Sequence, residues 1–188
     1  MFELSLHILD IVQNSIRANT KFVDITVDLD AAKDLMKIRI VDNGSGMEPR
    51  QQERATDPFY TTRTTRKVGL GLSYFKMMAE MCAGSFLLDS KVGVGTTVEA
   101  TFQISHIDRM PLGNMGQTLA LLAGANPDIE FAYRIRQDNH GKQEGFEFDT
   151  VSIKELLDGV SINTPEVIVY IEAFINENAE KIIGGIQL

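Results

Sequence analysis

Two stretches of this chain alternate apolar and polar residues without a break. Val23, Ile25, Val27 and Leu29 interleave with Asp24, Thr26 and Asp28; after the turn segment AAKD, Met36, Ile38 and Ile40 repeat the pattern. Successive side chains of a strand point to opposite faces, so each stretch presents one apolar face and one polar face. Such a sheet must be covered on one side. Candidate covers are at hand: Leu4, Ile8, Ile11, Val12 and Ile16 recur at helical spacing over residues 3–18, and residues 72–83 read as a second amphipathic helix, with Gly84 as its C′ residue. SFLLDS and TTVEATFQIS, joined by KVGVG, read as a further strand pair. The predicted fold class is α+β, a two-layer α/β sandwich in which a mixed, mostly antiparallel sheet carries its helices on one face.

The character of the chain changes near residue 105. Residues 1–104 hold 12 Lys and Arg against 13 Asp and Glu, whereas residues 105–188 hold 6 against 13. We therefore divide the chain into a first domain, 1–104, and a small α/β C-terminal extension, 105–188. In the extension Pro111 to Ala125 reads as a helix, EFAYRIRQ and EGFEFD flank the turn DNHG as a hairpin, and Ser152 and Glu155 have capping-box spacing. Thr164-Pro165 opens a last helix that Gly184 and Gly185 end. The hairpin aromatics Phe131, Tyr133, Phe146 and Phe148 are expected to pack on the extension's own helices.

A chain of net charge −8 makes a poor general binder of nucleic acid, because phosphate neutralisation supplies most of that affinity. No apolar run approaches the roughly 20 residues that span a bilayer, and no signal peptide is evident, so a cytoplasmic protein without membrane contact is expected. The single cysteine, Cys82, excludes an internal disulfide and reads as a core residue. His106 and His140 lack metal-ligand spacing.

Four short elements carry polar residues in patterns that suit chemistry. Asp10 and Asn14 lie four apart on the first helix, so a carboxylate and a carboxamide share one side. That pattern equally fits a solvated helix face. Asp42-Asn43-Gly44-Ser45-Gly46 ends an apolar strand, either as a plain turn or as an aspartate beside a thinned backbone over which a flat ring can pack. Residues 48–67 carry Arg50, Arg54, Arg63, Arg66 and Lys67 and run into Gly69-Leu70-Gly71-Leu72-Ser73 at a helix start, a combination suited to an anion. It matches neither a Walker loop nor a dinucleotide fingerprint. Gly93-Val94-Gly95-Thr96 is a glycine turn inside a strand pair.

Taken in order, these elements resemble the Bergerat-type ATP-binding superfamily, which includes DNA gyrase, the ninety-kilodalton heat-shock chaperones, histidine kinases and mismatch-repair ATPases. The resemblance covers residues 1 to about 104. It implies that Asn14 coordinates Mg²⁺, that Asp42 reads the adenine amine with Gly44 and Gly46 beside the ring, and that Met47 packs near the base. It places Phe59, Thr61 and Thr62 in a lid, offers Arg63, Arg66 and Lys67 as phosphate contacts, sets Gly69 and Gly71, with Leu70 and Leu72, under the phosphates, and puts Thr96 near the adenine. Arg17 stands where kinase-like members carry a phosphate contact, and the lid phrase DPFYTTR is nearer to histidine kinases than to gyrase. Asp10 occupies the place of a general-base glutamate, one methylene shorter.

The implied function is a cytosolic Mg²⁺-ATP-binding regulator that passes the γ-phosphoryl group to a protein or to water, with Asp10 as catalytic residue and ATP and Mg²⁺ as cofactors. A non-catalytic module whose lid orders on nucleotide binding and gates a protein partner is the first alternative. The ATP-binding half of a split two-component kinase is the second, since the ATP motif begins within the first dozen residues and His7 lies in the Asn14 helix without a phosphoacceptor context. A protein partner and a homodimer are both expected possibilities.

Overall fold

A computed structural model describes residues 3–57, 70–139 and 141–184. The described elements are α1 (Leu4–Arg17), β1 (Phe22–Asp30), β2 (Leu35–Asp42), α2 (Pro49–Arg54), α3 (Leu70–Met81), β3 (Phe86–Lys91), β4 (Gly95–Gln103), α4 (Met115–Ala125), β5 (Glu130–Asn139), β6 (Lys142–Asp149), α5 (Thr150–Leu156) and α6 (Pro165–Ile183).

The strands form one six-stranded sheet in the order β3-β4-β2-β1-β5-β6. Only the β1–β5 pairing is parallel; the other four are antiparallel. The alternation read in the sequence decides the faces. Val23, Ile25, Val27 and Leu29 of β1 are buried, and register aligns them with Ile38 and Ile40 of β2 on one side and with Phe131, Tyr133 and Ile135 of β5 on the other. The opposite face is polar. There Asp24 pairs with Arg134, Arg134 and Arg136 both meet Glu147, and Lys37 stands 3.9 Å from Asp28. α1, α3, α4, α5 and α6 bury their apolar residues in the core on that apolar face, giving the expected two-layer α+β arrangement.

The C-terminal extension continues this sheet. β5 pairs with β1 from Phe22↔Glu130 to Asp30↔Asp138, and one hydrophobic cluster runs from Leu4 and Ile8 through Phe131 and Tyr133 to Ile171 and Ile175. The hairpin aromatics pack inward as expected: Phe131, Tyr133 and Phe148 are buried, and Phe146 meets Phe174 of α6 edge-on at 5.6 Å.

Three boundaries differ from the sequence reading, each for a local reason. α4 starts at Met115, not Pro111; the carbonyls of Pro111 and Leu112 instead accept the Leu4 and Ser5 N–H groups, satisfying two orphan donors at the start of α1. The left-handed residue after α3 is Ala83, at φ +55, rather than Gly84. Gly84 is needed for another reason, since a Cβ there would overlap the Thr101 carbonyl. The N-cap of α5 is Asp149, whose carboxylate accepts the Ser152 N–H at 2.8 Å, so Ser152 is capped rather than capping. Thr164 precedes α6 as expected but makes no side-chain cap; its hydroxyl donates to the Ser161 carbonyl.

Candidate functional site

The register across four strands places Ser90, Thr96, Asp42 and Val23 in one row. Asp42 sits in that row at 8% exposure. A carboxylate so deep must find donors, and three reach it. The Ser15 hydroxyl donates to Oδ2 at 2.6 Å, while the Gly44 and Thr96 N–H groups donate to Oδ1 at 2.9 and 3.3 Å. Asp42 is thus held by α1, by the turn after β2 and by β4 together.

The glycines around it are required by close approach. Gly46 has φ +66, and a Cβ there would overlap the Lys91 carbonyl; Gly95 has φ +132, and a Cβ would overlap the Asp42 carbonyl. The DNGSG turn and the β3–β4 turn are therefore pressed together, with the Gly93 N–H donating to the Ser45 carbonyl at 2.8 Å. Gly44 packs against the end of α1, where a Cβ would lie 2.9 Å from the Ala18 carbonyl oxygen. Asn43 is structural: its Oδ1 accepts the Thr20 hydroxyl and the N–H groups of Lys21 and Phe22, tying the turn to β1. The Met47 N–H donates to Ser90 Oγ at 2.9 Å.

A second group gathers one turn away on α1. Asp10, Asn14 and Arg17 follow one another along the helix, and Arg17 Nη1 donates to Asn14 Oδ1 at 3.0 Å. Gly71 stands opposite them in the first turn of α3. A Cβ at Gly71 would lie 3.5 Å from Asp10 Cβ and 4.0 Å from Asn14 Nδ2. The start of α3, where the helix dipole favours an anion, thus faces Asp10 and Asn14. Because Asn14 and Ser15 are consecutive, one turn of α1 joins this group to the Asp42 row.

Leu72 packs against the hydrophobic core. Phe59, Thr61, Thr62, Arg63, Arg66, Lys67 and Gly69 lie outside the described residues, and Leu70 opens α3. His7 stacks on Tyr74 with ring centroids 4.9 Å apart, and its Nε2 is buried without a hydrogen-bond partner among the described residues. Burial lowers its pKa, partly opposed by the Asp10 charge. Cys82 is buried, which raises its thiol pKa, with Asp108 adding to the effect.

Sequence reasoning passed over Ser15, Ser90 and Gln52. Ser15 carried a signal, as a polar residue on the apolar side of an amphipathic helix. Ser90 and Gln52 carried none, because Ser90 takes the Met47 N–H from 43 residues away and Gln52 reaches across to β3 from α2. Gln52 of α2 grips the edge strand β3, donating to the Leu88 carbonyl at 2.9 Å and accepting the Ser90 N–H at 3.1 Å.

Residues 3–106 match the family of histidine kinase-, DNA gyrase B- and HSP90-like ATPases. The chain belongs to this family. Among curated relatives, sensor protein DegM of Bacillus sp. (strain B21-2) is 32% identical over 97 residues, covering 52% of this chain and 26% of that protein. Histidine protein kinase DivJ of Caulobacter vibrioides is 27% identical over 101 residues, covering 52% and 17%. Sporulation kinase D of Bacillus subtilis is 31% identical over 98 residues, covering 52% and 19%. The chain thus spans about a quarter or less of these relatives. Among solved structures, the N-terminal domain of a DNA repair protein matches 77% of this chain and 52% of its own at 18% identity, with a TM-score of 0.46. This histidine-kinase-like ATPase domain is an ATP-binding one, and among its described residues no helix is long and apolar enough to cross a membrane.

Proposed function

We propose that this ATPase-family domain binds Mg²⁺-ATP between α1, α3 and the β2–β4 end of the sheet, and passes the γ-phosphoryl group to a protein or to water as a cytosolic regulator. The observation that carries the reading is that α1 brings two clusters together: its Ser15 holds the buried carboxylate of Asp42, and its Asp10 and Asn14 face the start of α3. A carboxylate that only accepts hydrogen bonds suits an exocyclic amine. A helix start beside an amide oxygen suits phosphates and a hard cation.

Among the described residues no group of three His, Cys, Asp or Glu side chains converges. Mg²⁺ keeps waters and takes phosphate oxygens in preference to an all-protein cage, so Asn14 Oδ1 as its protein ligand fits this chemistry. Bound there, the ion would neutralise phosphate charge. Arg17, now on Asn14 Oδ1, would move onto a phosphate, and Asp10 would orient or deprotonate the acceptor. Gly69, Arg63, Arg66 and Lys67 would complete the phosphate contacts.

The test is Asp10→Asn. Turnover should be lost while ADP affinity stays within a few-fold; unchanged turnover removes Asp10 from the mechanism. Wild-type protein that binds ATP but never turns it over points instead to a nucleotide-gated binding module. A split two-component kinase is the second reading. It is supported by the sensor and kinase relatives, and by His7, whose buried Nε2 makes it a poor acceptor. Labelled ATP should then mark a histidine on a separate chain.

A further inference from the structure

Ser90 occupies the third place in the row that begins with Asp42 and Thr96, and nothing in the reading above assigns it a role. Three groups surround its Oγ. The Met47 N–H donates to it at 2.9 Å, the Gly95 carbonyl lies at 3.1 Å, and the Thr96 hydroxyl lies at 2.9 Å. A serine hydroxyl has one proton and two lone pairs. A carbonyl can only accept, so the Ser90 proton belongs to Gly95. One Ser90 lone pair is taken by Met47. The Ser90–Thr96 contact is then a hydrogen bond only if Thr96 donates, which fills the second lone pair and saturates Ser90. The reverse direction would leave the Gly95 oxygen facing Ser90 Oγ with no proton between them.

With its proton spent on Ser90, the Thr96 hydroxyl keeps only lone pairs for a ligand. Beside it the Asp42 carboxylate also only accepts, its oxygens engaged by Ser15, Gly44 and Thr96. The two side chains therefore offer an edge with no donor. An exocyclic amine has two N–H groups, one for each of these acceptors, whereas a 6-oxo purine sets its oxygen against lone pairs and brings only its single N1–H.

We propose that Ser90 is a specificity-determining positioning residue, which fixes the Thr96 hydroxyl as an acceptor and so sharpens selection of a 6-amino over a 6-oxo purine. The proposal rests on the base lying against Asp42, as read above. Ser90 itself need not touch the ligand.

Calorimetric titration of the full chain with Mg²⁺-ADP and Mg²⁺-IDP tests it, because the two ligands differ only in the 6-substituent and the N1 proton that goes with it. Ser90→Ala frees the Thr96 hydroxyl to rotate and donate, so the ADP-to-IDP affinity ratio should fall roughly tenfold, the scale of one hydrogen bond. Ser90→Thr, which keeps the hydroxyl, should hold the wild-type ratio. Thr96→Val should lower the ratio too, and adding Ser90→Ala to it should lower it no further, since both act through one group. A merely structural Ser90 would weaken both ligands equally. An unchanged ratio in folded Ser90→Ala overturns the proposal. If that variant fails to fold, Ser90→Cys, a weaker donor and acceptor of similar size, decides the matter by the same ratio. Wild-type protein that binds neither diphosphate overturns the underlying nucleotide reading and the proposal with it. Wild-type binding with an insensitive ratio overturns Ser90 alone.

Discussion

Asp42 shows how one buried charge can set the terms for its neighbours. At 8% exposure its carboxylate depends on the Ser15 hydroxyl and two backbone N–H groups in place of water. Ser15→Ala removes the side-chain donor and should cost about 1–3 kcal/mol of stability, the range for leaving a buried polar group unsatisfied. Chemical denaturation measures it, and nucleotide affinity should fall as well. His7 makes a different prediction at this scale. Its pKa lies below the ordinary 6.5, so just below that pH the unfolded chain takes up the proton more readily than the folded one. The stability it contributes is whole above about pH 6.5 and is lost as pH falls through the folded value. His7→Phe preserves the contact with Tyr74 and should flatten that part of a melting-temperature curve against pH.

At the scale of elements, the turns around the site leave the least freedom. α3 ends through Ala83 in the left-handed region, which costs an L residue about 1–2 kcal/mol. Part of that is regained in Ala83→Gly, offset by the added freedom of the unfolded chain, so the variant should be stabilised by roughly 0.5–1 kcal/mol in denaturant titrations. Gly46→Ala should go the other way. It combines φ +66 with a clash on the Lys91 carbonyl, and forces apart the two turns that hold Asp42. Loss of several degrees in melting temperature together with loss of ADP binding is the expected result. Gly84 teaches the same lesson from outside the site. It looked like a helix terminator by position, but it is present because β4 passes too close for a side chain.

The described residues build one sheet over one core, although the family match ends at residue 106. β1 is central because β5 pairs along its entire length, and the 111–112 carbonyls cap the helix that carries Asp10, Asn14 and Ser15. A chain cut after residue 106 would expose β1 as an edge and uncover Val23, Ile25 and Val27. It should fail to unfold cooperatively, or should aggregate, in circular dichroism and size-exclusion measurements. Soluble, cooperative 1–106 would show that the extension adds regulation rather than support.

How far the sequence reaches is clear from particular residues. Strict alternation in β1 and β2 and helical spacing in α1 settle which faces are apolar, because those periods are local properties of the backbone. The glycine and aspartate boxes mark the family for the same reason: each is a short segment whose conformation and chemistry are written in adjacent residues. Ser15 beneath Asp42, Ser90 between Met47 and Thr96, Gln52 on the β3 edge, and β5 beside β1 are decided only by tertiary structure. They join residues dozens of positions apart, and strand register and packing, which no local pattern encodes, choose those partners.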